Sequence, residues 1–276
     1  MNQYTIGSGH YALGNSETEH TRLAAQAEFW GAATRQALSQ AGLATGMSVL
    51  DVGCGTGAAM RLMAGFVGAT GRVTGIDRDT KLGESMLESL RRDGPDVFTF
   101  VGADINKVSE VKGSPFDLVF VRLLLIHLAD PVAVLRKLWA WVRPGGALIV
   151  MDHDWHSWRL IPHRPVFDRA IQVVRDSSKA AGLNLEIGAH MPLLFKQAGI
   201  ERPDSCTVAG FILPADTSIK MLRAVLASAR PTAIKLGVTT EPEGEKLDLD
   251  LEALQRDDDV FMRWFDMTVT MKRKPP

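Results

Sequence analysis

The stretch Val49-Leu50-Asp51-Val52-Gly53-Cys54-Gly55-Thr56-Gly57 decides how the rest of the chain is read. An apolar strand over residues 48–51 delivers the backbone to a turn. There glycines tolerate positive φ and leave room for a ligand beside the main chain. The spacing is G-x-G-x-G, which departs from the G-x-G-x-x-G of the dinucleotide fingerprint. Asp51 sharpens the reading. Its carboxylate, just ahead of the first glycine, would be unwelcome beside a pyrophosphate, yet it suits a ligand that carries an ammonium and a sulfonium.

On the carboxyl side of this turn, strands and helices alternate. A helix is expected over 58–66, a strand over 72–77 ending in Asp77, a helix over 79–92, and strands over 97–101 and 116–121. Asp130-Pro131 supplies an N-cap and a first-turn proline for the next helix. Pro144-Gly145-Gly146 then turns the chain into a fifth strand over 147–151. Regular alternation implies a parallel sheet with right-handed crossovers and helices on both faces, and ligands outside the carboxyl ends of the strands. On the amino side, 16–41 reads as one amphipathic helix, with Ser16 and Glu19 at capping-box spacing and Gly42 as its C-cap. Beyond 151 the pattern predicts helices over 165–181 and 190–198, a strand over 206–213, and a helix over 216–230 stopped by Pro231. An acidic loop over 239–245, a short helix over 249–255 and a last strand over 264–271 follow.

The ordered motifs from about Gly46 to Ile149 resemble the class I S-adenosylmethionine-dependent methyltransferases, in the ubiquinone/menaquinone-methyltransferase-like group. The resemblance implies an α/β fold: a Rossmann-like parallel sheet of about seven strands, the last antiparallel. It also implies an N-terminal helical cap over 1–45 and a core over 46–276 with a helical lid inserted at about 214–262. It implies S-adenosyl-L-methionine as cofactor, its methionine end cupped by Asp51, Gly53, Gly55 and Gly57. Asp77 would take the ribose hydroxyls, with Arg78 near the adenine. Asp104 would accept from the adenine amino group, with Ile105 packing on the ring, and Arg122 would present its carbonyl to the ammonium. Leu125-Ile126-His127 matches a segment in which the family commonly carries a histidine, and the leader around Tyr11 and Gln26 matches a cap over cofactor and substrate. Taken singly, Asp77 and Asp104 also read as helix N-caps. The set of acids and glycines together favours the cofactor site, and the glycine spacing with Asp51 argues against a nicotinamide-dependent dehydrogenase.

Methyl transfer from a sulfonium needs alignment and exclusion of water, and needs a base only when the nucleophile must lose a proton. After the fifth strand come Asp152-His153-Asp154-Trp155-His156-Ser157-Trp158. His153 is the first candidate base and His127 the second, with Tyr11 from the leader. Asp154, Trp155 and Trp158 are candidate substrate contacts, and the two indoles suit an aromatic or indole-like secondary metabolite. Each also has a plain reading: a histidine bonded to backbone in a polar turn, a tryptophan in the core. The adjacent acids and histidines are spaced poorly for a tetrahedral metal site, so no metal is expected.

A formal net charge of −1 gives no broad basic surface for nucleic acid. Cys54 and Cys206 cannot staple a fold of this size, which points to a reducing, cytoplasmic compartment. The amino end reads as no signal peptide, and no apolar run reaches the roughly 18–20 residues that span a bilayer. Exchange of the 214–262 element between subunits is one route to a homodimer. Two other readings remain open. One is a methyltransferase-fold protein that binds the cofactor but works as a cyclase or binding module. The other is RNA or protein methylation, which Arg122-Leu123-Leu124-Leu125 does not favour because it lacks an Asn-Pro-Pro-Tyr-type motif.

Overall fold

The first strand, β1 (Ser48–Val52), is buried along nearly its whole length and lies in the interior of the sheet, third of its seven strands. The computed structural model describes residues 29–276. β2 (Arg72–Asp77) lies on one side of β1 and β4 (Phe116–Arg122) on the other, both parallel to it. β3 (Phe98–Gly102) extends the sheet beyond β2, and β5 (Val142–Asp154) beyond β4. β10 (Asp266–Arg273) runs antiparallel to β5, and β7 (Ser205–Ala209) closes the far edge, giving the order β3-β2-β1-β4-β5-β10-β7. This is the expected seven-stranded Rossmann-like sheet with an antiparallel last strand. Val49, Leu50, Val119, Phe120, Ile149 and Val150 are wholly buried, as continuous apolar strands covered on both faces must be.

Helices α1 (Gly31–Gln40), α2 (Ala58–Val67), α3 (Thr80–Asp93) and α4 (Pro131–Ala140) belong to the same unit. Asp79 caps α3 by accepting from Leu82 N at 3.0 Å, and Asp130 caps α4 by accepting from Ala133 N at 2.9 Å. Gly83 of α3 rests directly on the Phe100 ring, so that any Cβ there would overlap it.

The described chain divides into two units. One comprises residues 29–158, 184–211 and 263–276; the other comprises 159–183 and 212–262. The second holds α5 (Pro165–Ala180), α7 (Ala215–Lys235), α8 (Glu241–Leu254) and a three-stranded sheet of β6 (Arg159–Ile161), β9 (Phe261–Arg263) and β8 (Ile212–Pro214). The helix α6 (Ile187–Gln197) lies in the first unit. Within the second unit, Arg223 pairs with both oxygens of Asp248 at 2.8 Å, and Arg169 bonds Glu243 at 2.8 Å. These tie α7 and α5 to α8.

Four local expectations are corrected. α7 passes through Pro231 to Lys235, because Ala229 and Ala233 keep its buried face continuous across the one missing N–H. The acidic stretch expected as a loop over 239–245 is largely the first turn of α8. Thr240 accepts from Glu243 N at 3.4 Å, so Thr240 and Glu243 have the T-x-x-E spacing of a capping box. The single strand over 206–213 is two, β7 and β8, broken at Gly210-Phe211. β5 is longer than predicted at both ends. A register shift between Phe116 and Leu118 absorbs the Pro144-Gly145-Gly146 segment, and pairing with β10 carries the strand on through Asp152, His153 and Asp154. The expected amphipathic helix is seen over its described part, α1; Ser16 and Glu19 lie outside the described residues, as do Tyr11 and Gln26.

Candidate functional site

At the carboxyl end of β1 the three motif glycines all have positive φ: 74° at Gly53, 48° at Gly55 and 75° at Gly57. Gly53 N and Cys54 N both donate to Ile76 O, at 2.8 and 3.2 Å, which fixes the turn to the end of β2. Gly53 also lies where a Cβ would press on Leu124, 3.2 Å away. Asp77 completes the frame. Its Oδ2 accepts from Gly55 N and its Oδ1 from Asp79 N, both at 3.0 Å. The cap of α3 is therefore Asp79, and Asp77 is a brace between the β2 end and the glycine turn.

Asp51 is 2% exposed, and among the described residues its Oδ2 has no hydrogen-bond partner. Burial pushes its carboxyl up to about 7; the Arg122 charge opposes that shift and Asp77 adds to it. Arg122, at the end of β4, feels the reverse: burial lowers its pKa, and the Asp51 charge offsets only part of that. Its Nη1 donates to Thr34 Oγ1 of α1 at 2.8 Å. Burial likewise pushes the Cys54 thiol up, so that it remains protonated.

One strand further out, Ala103 N donates to Asp77 O at 2.9 Å, which sets the chain beyond β3 beside the end of β2. Asp104 Oδ1 there accepts from Asn106 N and Nδ2, at 2.9 and 3.0 Å, and Ile105 is 7% exposed with its carbonyl bonded to Lys137 Nζ at 2.7 Å. Arg78 is exposed. The structure thus gathers Asp51, the glycines, Asp77 and Arg122 around one turn. Asp104 and Ile105 stand at the neighbouring strand end.

On the other side of the turn, Leu123 has φ 57°, an uncommon conformation for a branched residue, and its N–H donates to Met151 O at 2.9 Å. The short 3₁₀ turn Leu125–His127 follows and leaves His127 half-buried. Asp152 holds this turn. The carboxyl is wholly buried, with Oδ2 accepting from Ile126 N at 3.1 Å and Oδ1 from His153 N at 2.9 Å. The sequence assigns no role to Asp152, because the donor that gives it one, Ile126 N, lies on the loop after another strand.

Burial pushes the Asp152 carboxyl from 3.8 up to about 7, as it does Asp51. Between those values the folded protein keeps protons that the unfolded chain has released. Each group's contribution to stability therefore falls as pH rises from about 4 to about 7, then levels off. Asp152→Asn removes one such group. The stability difference between this variant and the wild type should shift in favour of the variant across that window, by about 1.4 kcal/mol per pKa unit. Denaturant unfolding at a series of pH values measures it, and a pH-independent difference would contradict the assignment.

His153 lies on β5, 4% exposed, its ring 4.2 Å from Phe265 and 5.9 Å from Trp30. Trp155 stacks on Phe265 at 5.2 Å, and Trp158 meets Trp155, Trp264 and Phe265 edge-on at about 5 Å. Trp155 and Trp158 are 8% and 4% exposed, so both indoles are core components of an aromatic cluster. Asp154 accepts from His156 N at 3.1 Å and meets His156 Nδ1 at 2.9 Å, while His156 Nε2 reaches Glu186 at 3.2 Å. His153→Ala is expected to cost about 2–4 kcal/mol by opening a cavity in the cluster. Chemical denaturation checks this; a loss well under 1 kcal/mol would remove the histidine from the cluster's packing.

Among the described residues no helix is long and apolar enough to cross a membrane, and no three His, Cys, Asp or Glu side chains are grouped to hold a metal.

Residues 43–190, more than half of the chain, match the family described as "Methyltransferase domain". Among curated proteins, the demethylmenaquinone methyltransferase of Lactococcus lactis is 27% identical over 148 residues, covering 54% of this chain and 55% of that protein. The chain's matches span from about a quarter to about half the length of such relatives. Among solved structures, a Haemonchus contortus phosphoethanolamine N-methyltransferase 2, in complex with phosphomonomethylethanolamine and S-adenosylhomocysteine, superposes with TM-score 0.53 at 18% identity. The match covers 88% of this chain and 52% of that one. The [4+2]-cyclase SpnF superposes with TM-score 0.53 at 17% identity, covering 89% and 81%. At such identities the structural likenesses establish the fold alone.

Proposed function

The chain belongs to the class I S-adenosylmethionine-dependent methyltransferases, and from that premise we propose that it transfers a methyl group from S-adenosyl-L-methionine to a small organic molecule. One observation carries the reading: Asp51, a buried carboxylate with one oxygen unpaired among the described residues, stands at the foot of a turn whose three glycines are all left-handed. That oxygen is an acceptor for an ammonium, and a buried acceptor left without a donor is costly. Asp77 uses one lone pair on each oxygen for the backbone, which leaves acceptor capacity for a ribose diol. Asp104 Oδ2 accepts from none of its turn's amide N–H groups and has Lys107 Nζ 4.0 Å away, which leaves it capacity to accept from an adenine amino group. The residues fit the cofactor.

When bound, the cofactor supplies an activated methyl on a sulfonium. What the protein contributes is position and dryness. The 3₁₀ turn held by Asp152 presses Leu124 onto Gly53, so one face of the glycine turn is closed by aliphatic carbon. Of the two candidate bases, His127 is favoured: it is half-buried beside the β4 end, whereas the ring of His153 is packed among aromatics. The aromatic-substrate reading has little support in the positions of Trp155 and Trp158. Their faces are committed to each other and to Phe265. Tailoring of a secondary metabolite rests on the resemblance of the leader, and exchange of the 214–262 element into a homodimer on the apolar side of α7.

Incubation with methyl-labelled cofactor and a fractionated extract tests the activity. Label appearing on a small-molecule fraction supports it. Cofactor binding with no transfer to any fraction would favour a non-methylating role, such as the cyclase activity that the name of SpnF describes for another member of the fold.

A further inference from the structure

The methionyl end of the proposed cofactor carries two opposite charges at neutral pH, and Asp51 answers only the ammonium. A cation stands close by for the other. Pairing aligns Asp51 with Phe120 of β4. Side chains alternate faces along a strand, so Arg122 shares the face of Phe120 and Asp51 and lies one pleat nearer the carboxyl edge. The mutual influence of Asp51 and Arg122 on each other's ionisation places their charges in one field. Arg122 spends one donor on Thr34 Oγ1, at 2.8 Å, and the hydroxyl of Thr34, wholly buried, donates in turn to Trp30 O at 2.9 Å. A guanidinium has five N–H donors, and among the described residues Thr34 is its only hydrogen-bond acceptor. Among the described residues, a half-buried arginine with four donors to spare thus shares a sheet face with a buried carboxylate that has one unsatisfied oxygen, a pair of opposite charges that a zwitterion complements at both ends.

We propose that the Arg122 side chain binds the carboxylate of the cofactor's amino-acid end, while Asp51 takes its ammonium. The inference rests on the cofactor reading above and adds to it a specificity for the intact amino acid. The planar fork suits a carboxylate, which two parallel N–H groups can hold at once. Thr34 is a positioning residue: its hydroxyl holds the guanidinium from α1 and leaves the other nitrogens to the ligand.

Calorimetric titration of the full chain with three adenosine derivatives tests the assignment. S-adenosylhomocysteine has both charges, decarboxylated S-adenosylmethionine lacks the carboxylate, and 5′-methylthioadenosine lacks the whole amino acid. Arg122→Gln should weaken S-adenosylhomocysteine roughly ten- to a hundredfold, as loss of a charge-assisted pair does. It should leave 5′-methylthioadenosine within about twofold and the decarboxylated compound unweakened. Arg122→Lys, which keeps the charge and loses the fork, should fall between, and guards against a folding defect in the glutamine variant. Equal weakening of all three ligands, or of none, would overturn the proposal and leave Arg122 as a strut for α1. A wild-type chain that bound none of the three would instead strike the cofactor reading itself.

Discussion

Gly57→Ala is expected to lower unfolding stability by about 2–4 kcal/mol and to weaken S-adenosylhomocysteine at least about tenfold. Gly57 sits at φ 75° as the residue before α2, a conformation that costs an L-residue about 1–2 kcal/mol. Its new Cβ would also come 2.6 Å from Met86 Cγ and 3.2 Å from Leu90 Cδ1, both on α3. Either α3 retreats or the turn opens, and either movement pulls the glycine backbone away from Asp77. Gly55→Ala is the control: φ is 48°, but nothing lies within 4 Å of a Cβ there. It should carry the conformational cost alone, about 1–2 kcal/mol. Denaturant unfolding and calorimetry on the two variants separate crowding from backbone strain. Equal losses for both would show that the Met86 contact carries no weight.

Asp77→Ala should weaken S-adenosylhomocysteine by about 1–3 kcal/mol, roughly five- to 150-fold. Two effects add. The carboxylate is lost to the ribose, and Gly55 N and Asp79 N lose their acceptor, so the turn loses its brace to β2. Asp77→Asn keeps one oxygen but presents an amide N–H to a backbone donor, and an intermediate loss is expected. Unchanged affinity in calorimetry for the alanine variant would remove Asp77 from the site.

Much of this was legible in the chain. The β1 turn could be read because its signal is local: apolar residues, an acid and three glycines at fixed spacing, each with its own conformational reason. Asp130-Pro131 could be read as a helix start for the same reason, and the structure gives Asp130 the expected cap bond to Ala133 N. What escaped depended on partners distant in sequence. The extension of β5 through Asp152-His153-Asp154 is set by pairing with β10, more than a hundred residues on, and no apolar alternation announces it. The hold of Asp152 on Ile126 N, and of Thr34 on Arg122, join segments 26 and 88 residues apart. Pro231 misled because its cost is local while the packing that outweighs it is not. The capping spacing of Thr240 and Glu243 was present in the chain and went unread behind the acidic run. Trp155 and Trp158 show the opposite limit: indoles after a strand end suit a ligand or a core, and only the neighbouring rings of Trp264 and Phe265 decide between them.

Amide chemical-shift mapping during titration with S-adenosylhomocysteine tests the site most directly, because it reports location as well as affinity. The largest movements should fall on the N–H groups of Gly53, Gly55 and Gly57 and on Asp79, whose N–H is bound to Asp77. Saturation with those amides unmoved, or their movement by a nicotinamide dinucleotide and not by S-adenosylhomocysteine, would contradict it.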